Sequence, residues 1–132
     1  MTNILLITHG TVGEAMLAMM IETLGQFPLP VKCLAVKAGD EPAELLAQAR
    51  VMVDEFNGGD VIVLTDLFGS TPSNIASQLI KENAGMAMIA GVNIPMLIRM
   101  LNYADESTAV MLDKAVSGGR DGILAYVPGR DD

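Results

Sequence analysis

The residues best suited to chemistry lie in two short loops, each of which follows a continuous apolar run. His9, the only histidine of the chain, comes after Ile4-Leu5-Leu6-Ile7, and Asp66 comes after Val61-Ile62-Val63-Leu64. Such runs are typical of strands that are buried on both faces of a parallel sheet. An imidazole beside a carboxylate is the minimum unit of an oriented nucleophile or general base. We therefore predict a reactive site where these two strands end.

An anion-binding loop is predicted directly after Asp66. Gly69, Ser70 and Thr71 precede Pro72 at the predicted start of a helix. Exposed backbone N–H groups, two hydroxyls and the positive end of a helix dipole together favour a bound oxyanion. Neither loop contains a lysine or an arginine. Because amides and hydroxyls can hold a phosphoryl group and still release it, the pattern favours a phosphohistidine carrier over a general base at His9.

Other interpretations of these residues stay open at this point. A transition-metal site would need a carboxylate-rich ligand set, because the chain has no second histidine and no cysteine near either loop. A hydrolase would need a nucleophile elbow, and the G-x-S-x-G signature is absent. In a purely structural interpretation, His9 caps a strand, Asp66 forms a turn and Ser70-Thr71-Pro72 begins an ordinary helix. We predict neither a metal nor a cofactor.

Alternating strand and helix patterns position the two loops. The predicted strands span residues 4–7, 31–36, 61–65, 86–90 and 123–127. The predicted helices span residues 12–24, 42–56, 70–80, 96–103 and 106–116, and the last is expected to stop at Ser117-Gly118-Gly119. The final residues, 129–132, are expected to form a frayed tail.

This order predicts an α/β fold in one domain over residues 1–132. We expect an open, mostly parallel five-stranded sheet with helices on both faces, in the flavodoxin-like strand order 2-1-3-4-5. Strands one and three would be neighbours at the switch point, so the topology would bring His9 and Asp66 together. The sequence leaves the direction and the pairing partner of the fifth strand open.

Composition limits the classes of partner and compartment. Apolar residues make up 51% of the 132 positions and predict a large core or an oligomer interface, but no apolar stretch approaches the roughly 18 residues of a membrane helix. The net charge of −8 argues against nucleic acid and favours a basic partner protein. The N-terminus lacks a secretory pattern, and the single cysteine, Cys33, allows no disulfide within one chain. We therefore expect the protein in the cytoplasm.

Three ordered motifs resemble the enzyme IIA component of the mannose family of the bacterial phosphoenolpyruvate-dependent sugar phosphotransferase system. They are ITHG at residues 7–10, DLFGSTPSN at residues 66–74 and AGVNIPM at residues 90–96, and the likeness extends to residues 115–122. The resemblance implies a mostly parallel α/β sheet in a homodimer that exchanges its last strand between subunits.

The resemblance also implies roles for the residues already singled out. His9 would accept a phosphoryl group from the phosphohistidine of HPr and pass it to an enzyme IIB for sugar uptake, as a phosphotransferase component that acts through a phosphohistidine intermediate. Asp66 matches the family aspartate that bonds the imidazole, and Gly69, Ser70 and Thr71 match the phosphate-binding loop. The resemblance implies no cofactor or metal, and it implies contact with the membrane only indirectly, through a permease complex.

The loop departs from the family pattern in one respect. The family reads Gly-Gly-Ser-Pro followed by an aromatic residue, whereas this chain has Gly69-Ser70-Thr71-Pro72 followed by Ser73. Thr71 keeps the hydroxyl, and the aromatic contact is lost. Because the sequence stops at residue 132, we expect the IIB acceptor on a separate chain. Two alternatives remain, a regulatory phosphoprotein of an incomplete phosphotransferase system and the phosphoryl-donor subunit of dihydroxyacetone kinase, and the sequence specifies neither sugar nor acceptor.

Overall fold

A parallel sheet forms the centre of the molecule. The computed structural model describes residues 1–129, and within them the chain forms four strands, β1 (Asn3–His9), β2 (Val31–Val36), β3 (Val61–Thr65) and β4 (Met86–Ala90). The strands lie in the order β2-β1-β3-β4, and every neighbouring pair is parallel. The α/β class and the parallel sheet are therefore confirmed, and β1 lies beside β3.

Helices follow each strand and cover both faces of the sheet. Within residues 1–129 they are α1 (Val12–Leu24), α2 (Pro42–Glu55), α3 (Thr71–Lys81), α4 (Ile94–Leu101) and α5 (Thr108–Asp121). On one face, Ile4 and Leu6 of β1 belong to a core that includes residues of α1, α4 and α5. On the other face, Leu5 and Ile7 belong to a core shared with α2 and α3. Because successive strand side chains alternate between faces, the apolar run of β1 is buried on both sides, as the sequence predicts.

The predicted fifth strand is absent from the described residues. Residues 123–127 have no regular structure, and the side chains of Ile123, Leu124 and Tyr126 are 75%, 87% and 84% exposed. Within residues 1–129, β4 pairs only with β3 and β2 pairs only with β1, so the sheet is open at its β4 edge and at its β2 edge. The described residues therefore form four strands instead of the five predicted, and the place of the fifth strand in the order 2-1-3-4-5 is not confirmed. An apolar run indicates that a segment favours burial, but it does not say which strand edge will supply the hydrogen bonds.

The predicted end of the last helix is also wrong. α5 continues through Ser117, Gly118 and Gly119 to Asp121. A Cβ atom at Gly118 would lie 2.5 Å from the Cβ of Arg99, and one at Gly122, which follows the helix, would lie 2.3 Å from the Cβ of Pro95. These glycines allow α5 to pack closely against α4, and this packing outweighs their low helix propensity.

Smaller shifts affect the ends of β1 and α4. β1 extends from Asn3 to His9 instead of over 4–7, because parallel pairing with β2 continues as far as the His9–Val36 register. α4 begins at Ile94 instead of residue 96, because the side chain of Asn93 accepts a hydrogen bond from the backbone N–H of Met96 at 2.8 Å and caps the helix.

Most of the expected tail, residues 130–132, lies outside the described residues. Over residues 1–129, no helix has both the length and the apolar character that crossing a membrane requires.

Candidate active site

His9 lies at the carboxyl end of β1, between the ends of β2 and β3. The chain leaves β1 toward β2 on one side and leaves β3 toward β4 on the other, so the ends of β1 and β3 form the switch point where ligands gather in open parallel sheets. The side chain of His9 is 49% exposed. The imidazole can therefore be reached from solvent although the strand that carries it is buried.

Asp66 contacts His9 through a single carboxylate oxygen. Oδ2 lies 2.9 Å from Nδ1 of the imidazole and accepts a hydrogen bond from the backbone N–H of His9 at 3.1 Å. Since an ionised carboxylate only accepts hydrogen bonds, this contact favours the tautomer with the proton on Nδ1. The electron pair of Nε2 is then available as a nucleophile.

The pKa of the Asp66 carboxyl is determined by opposed effects. Burial raises the pKa of the carboxyl, whose Oδ1 atom is buried without a hydrogen-bond partner among residues 1–129. Hydrogen bonds from the side chain and the backbone of His9, a hydrogen bond from the backbone of Asp66 and the charge of His9 lower the pKa and together outweigh burial, so that it lies below its ordinary value. Asp66 is therefore ionised at neutral pH and stabilises positive charge on the imidazole.

The predicted phosphate loop is held together by its own polar groups. The backbone N–H of Gly69, at a φ of +84°, donates to the Oγ of Ser73 at 2.8 Å. The hydroxyl of Ser70 donates to the carbonyl of Leu67. Both donors, the Gly69 N–H and the Ser70 hydroxyl, thus form hydrogen bonds within the loop, and neither is directed to a ligand in this conformation.

Thr71 differs from these two residues. It is exposed at the first position of α3, and the first hydrogen bond of that helix runs from the backbone N–H of Asn74 to the carbonyl of Ser70. The amides of Thr71 and Ser73 therefore precede the helical hydrogen-bond pattern, where a helix offers donors to an anion. Of the three loop residues singled out from the sequence, Thr71 has the side chain most accessible to a ligand.

Ser73 and Thr8 shape the site, and the sequence analysis missed both. Ser73 is 2% exposed, and its hydroxyl accepts from Gly69 and donates to the carbonyl of Ser70 at 3.1 Å. The hydroxyl of Thr8 accepts from the backbone N–H of Gly13 at 2.8 Å, which fixes the start of α1 directly after His9. The capping-box pattern has Glu or Gln three residues after the N-cap, whereas Ser73 occupies that position and bonds Gly69 instead, so this pattern would not have identified it.

Few other groups of the described chain offer reactive or ligating chemistry here. Among residues 1–129, no three side chains of the His, Cys, Asp and Glu types cluster in a way that could hold a metal ion. Cys33 lies in β2, and burial, with a smaller effect of Glu14, raises the pKa of its thiol to about 11. The thiol is therefore protonated and a poor nucleophile at neutral pH.

Comparisons with known proteins agree with the fold and the motifs. The family model "PTS system fructose IIA component" matches residues 3–116. The mannose-specific EIIAB component of Escherichia coli K12 is 29% identical over 121 residues, which cover 89% of this chain and 37% of that protein. The fructose-specific EIIA component of Bacillus subtilis is 46% identical over 46 residues, covering 35% of this chain and 32% of that protein. The matched residues thus cover about a third of the length of each of these relatives.

A solved structure shows the same fold over nearly the whole chain. The mannose/sorbose-specific IIA subunit from Enterococcus faecalis superposes with a TM-score of 0.87 at 21% identity and covers 99% of this chain and 98% of its own. The family model covers most of the sequence and includes all three motifs in full. The chain therefore belongs to the mannose and fructose family of IIA components of the phosphotransferase system, as its motifs predicted.

Proposed function

We propose that this protein is a phosphoryl carrier in which His9 accepts a phosphoryl group from phosphorylated HPr and passes it to an enzyme IIB for sugar uptake. The observation that carries the proposal is the 2.9 Å contact between His9 Nδ1 and Asp66 Oδ2 on an imidazole side chain that is 49% exposed. Membership of the IIA family supports it. The proposal puts the protein in the cytoplasm, where it would meet its donor.

The atoms and charges of the phosphoryl transfer balance without a metal. The electron pair of His9 Nε2 attacks phosphorus while the N–P bond of the donor phosphohistidine breaks, and its electron pair stays on the donor imidazole. A donor ring that is positively charged becomes neutral, and the His9 ring becomes a positively charged phosphoimidazolium. Its Nδ1–H donates to ionised Asp66, which stabilises that charge. In-line positioning of two imidazoles supplies most of the remaining requirement.

Phosphate contacts are proposed for Thr71 and for the backbone amides at the start of α3. The exposed hydroxyl of Thr71 and the positive end of the helix dipole support this assignment. Gly69 and Ser70 act in the proposal by shaping the loop, and their donors would reach a phosphoryl group only if the loop rearranged. Release of the phosphoryl group to enzyme IIB is favoured because no lysine or arginine occurs in the loop.

The decisive experiment is incubation of the protein with phosphoenolpyruvate, enzyme I and HPr, followed by mapping of the phosphorylated residue under conditions that preserve acid-labile phosphohistidine. We expect one phosphoryl group, on His9, and none on the His9→Ala variant. Asp66→Asn should slow transfer by on the order of a hundredfold, because the tautomer is no longer fixed. Phosphate on another residue, or equal labelling of the alanine variant, would exclude the proposed carrier.

A homodimer that exchanges its last strand is proposed as the assembly. The open edge of β4 and the exposed apolar side chains of residues 123–127 support it, since both favour a partner strand. Sedimentation of the wild-type chain tests it directly, and a monomer at all accessible concentrations would exclude it.

A further inference from the structure

The loop between β3 and α3 exposes its apolar side chains while it satisfies its polar groups internally. Leu67 and Phe68 are 61% and 76% exposed, although Gly69 N–H and the Ser70 hydroxyl donate within the chain. Large exposed apolar side chains beside a reactive group are typical of a surface that is covered in a complex. Leu67 and Phe68 directly follow Asp66, whose carboxylate contacts His9, and we call this pair the apolar flank.

An acidic region lies on the opposite side of His9. β2 pairs with β1 so that Val36 is in register with His9, and the loop after Val36 leads to α2. This loop and the first turn of α2 carry three exposed acids against one exposed lysine, and we call the acids the acidic flank: Asp40, Glu41 and Glu44. His9 therefore lies between an apolar flank on the β3 side and an acidic flank on the β2 side.

We propose that the two flanks form the docking surface for the phosphoryl donor, a phosphohistidine protein with an apolar patch on one side of its histidine and basic side chains on the other. The proposal rests on the carrier function of His9 and adds which residues select and orient the donor. Two unlike flanks fix the rotation of the donor about the line that joins the two imidazoles. Charge complementarity speeds the encounter, and burial of the aromatic side chain holds the complex.

The apolar flank is tested with the double variant Leu67→Ala/Phe68→Ala and, as a matched control, Val51→Ala, which truncates a 57% exposed apolar side chain on α2. The measurement is the initial rate of transfer from phosphorylated HPr over a range of its concentrations. We expect the KM for HPr to rise about tenfold in the double variant with kcat changed less than about twofold, because truncating a buried aromatic anchor weakens the complex. The control should match the wild type.

The acidic flank is tested with Glu41→Gln/Glu44→Gln, and its control is Asp105→Asn/Glu106→Gln, a pair of exposed acids in the turn between α4 and α5. We expect the KM for HPr to rise about threefold at low salt and the difference to vanish near 1 M salt, where charges are screened within about 3 Å. The control pair should leave the KM unchanged.

A small donor separates docking from chemistry. Phosphoramidate transfers its phosphoryl group to His9 with ammonia as the leaving group, and it needs no protein docking surface. Equal labelling of wild type and flank variants by phosphoramidate, with the KM defect only for HPr, supports the proposal. An unchanged KM for HPr, equal defects with both donors, or a changed sedimentation coefficient of the apolar-flank variant would overturn it. Failure of both donors to label wild-type His9 would instead exclude the carrier function itself.

Discussion

At the scale of single residues, the contact between His9 and Asp66 governs how the carboxyl titrates. Burial alone would raise the pKa of Asp66, but hydrogen bonds from His9 and from the Asp66 backbone, together with the charge of His9, hold it below its ordinary value. We expect carbon-detected NMR to find the Asp66 midpoint below the ordinary value of about 3.9. In His9→Ala the hydrogen bond from the imidazole is lost while much of the burial remains, so the midpoint should rise. An unchanged midpoint in that variant would show that the imidazole does not stabilise the carboxylate.

The lowered pKa of Asp66 also makes the stability of the fold depend on pH. Because the pKa of Asp66 is lower in the folded than in the unfolded chain, its ionised form stabilises the fold above the unfolded pKa, and this contribution is lost as the pH falls through the folded pKa. The difference in free energy of unfolding between wild type and Asp66→Asn should therefore be larger at about pH 6 than at about pH 2.5. Urea unfolding at both pH values measures it.

Two hydroxyls of the proposed phosphate loop are expected to act differently. Ser73→Ala leaves the backbone N–H of Gly69 without its acceptor and should lower the free energy of unfolding by about 1–3 kcal/mol. Thr71→Val removes an exposed hydroxyl, so it should change stability by less than about 0.5 kcal/mol and yet slow phosphoryl transfer to His9. Urea unfolding and the transfer rate distinguish the two. The reverse pattern would assign the structural role to Thr71.

The sequence predicted the placement of His9 and Asp66 because both follow buried apolar runs, and a parallel sheet brings the carboxyl ends of its strands to one edge. It did not predict how the loop after Asp66 uses its donors. Whether a serine hydroxyl bonds a ligand or a neighbouring carbonyl depends on loop geometry, and here Ser70 and Ser73 both donate to a carbonyl three residues earlier in the chain. Residue type alone does not determine this outcome.

At the scale of elements, glycines in α5 illustrate the limit of local propensity. Gly118 and Gly119 are poor helix formers, so the sequence pattern predicted a helix end there. In the fold they are buried against Arg99 and Met96 of α4, with a Cβ at Gly119 lying 3.0 Å from the Cε of Met96. Helix packing decided the outcome, and packing partners that are distant in sequence leave little trace in the local pattern.

Gly118→Ala provides a test whose sign depends on this packing. In an exposed helix interior, a change from glycine to alanine stabilises by about 1 kcal/mol. At Gly118 the new Cβ would meet the Cβ of Arg99, which cannot move without its backbone, so we expect a loss of about 1–3 kcal/mol. Asp113→Ala, at an exposed position of the same helix, is the control and should be neutral or stabilising. A Gly118→Ala protein more stable than wild type in urea would contradict the close approach.

At the scale of the whole molecule, the apolar surplus is not fully buried within residues 1–129. The core takes up the buried strands and helix faces, whereas Leu124 and Tyr126 remain 87% and 84% exposed beyond the end of α5. An open sheet edge at β4 and an exposed apolar segment in one protein are a pairing hazard unless a partner covers them. The proposed strand exchange would cover both features at once.

Leu124→Asp/Tyr126→Asp tests this assembly. Two carboxylates buried in a subunit interface would lack partners and be costly, so we expect sedimentation to change from a dimer in the wild type to a monomer in the variant. Val51→Asp places a charge on an exposed apolar position of α2 and should leave the dimer intact. Labelling of His9 by phosphoramidate should persist in the variant, because His9 and Asp66 lie in strands and loops of one subunit. A variant that keeps the dimer mass would show that residues 123–127 do not hold the subunits together.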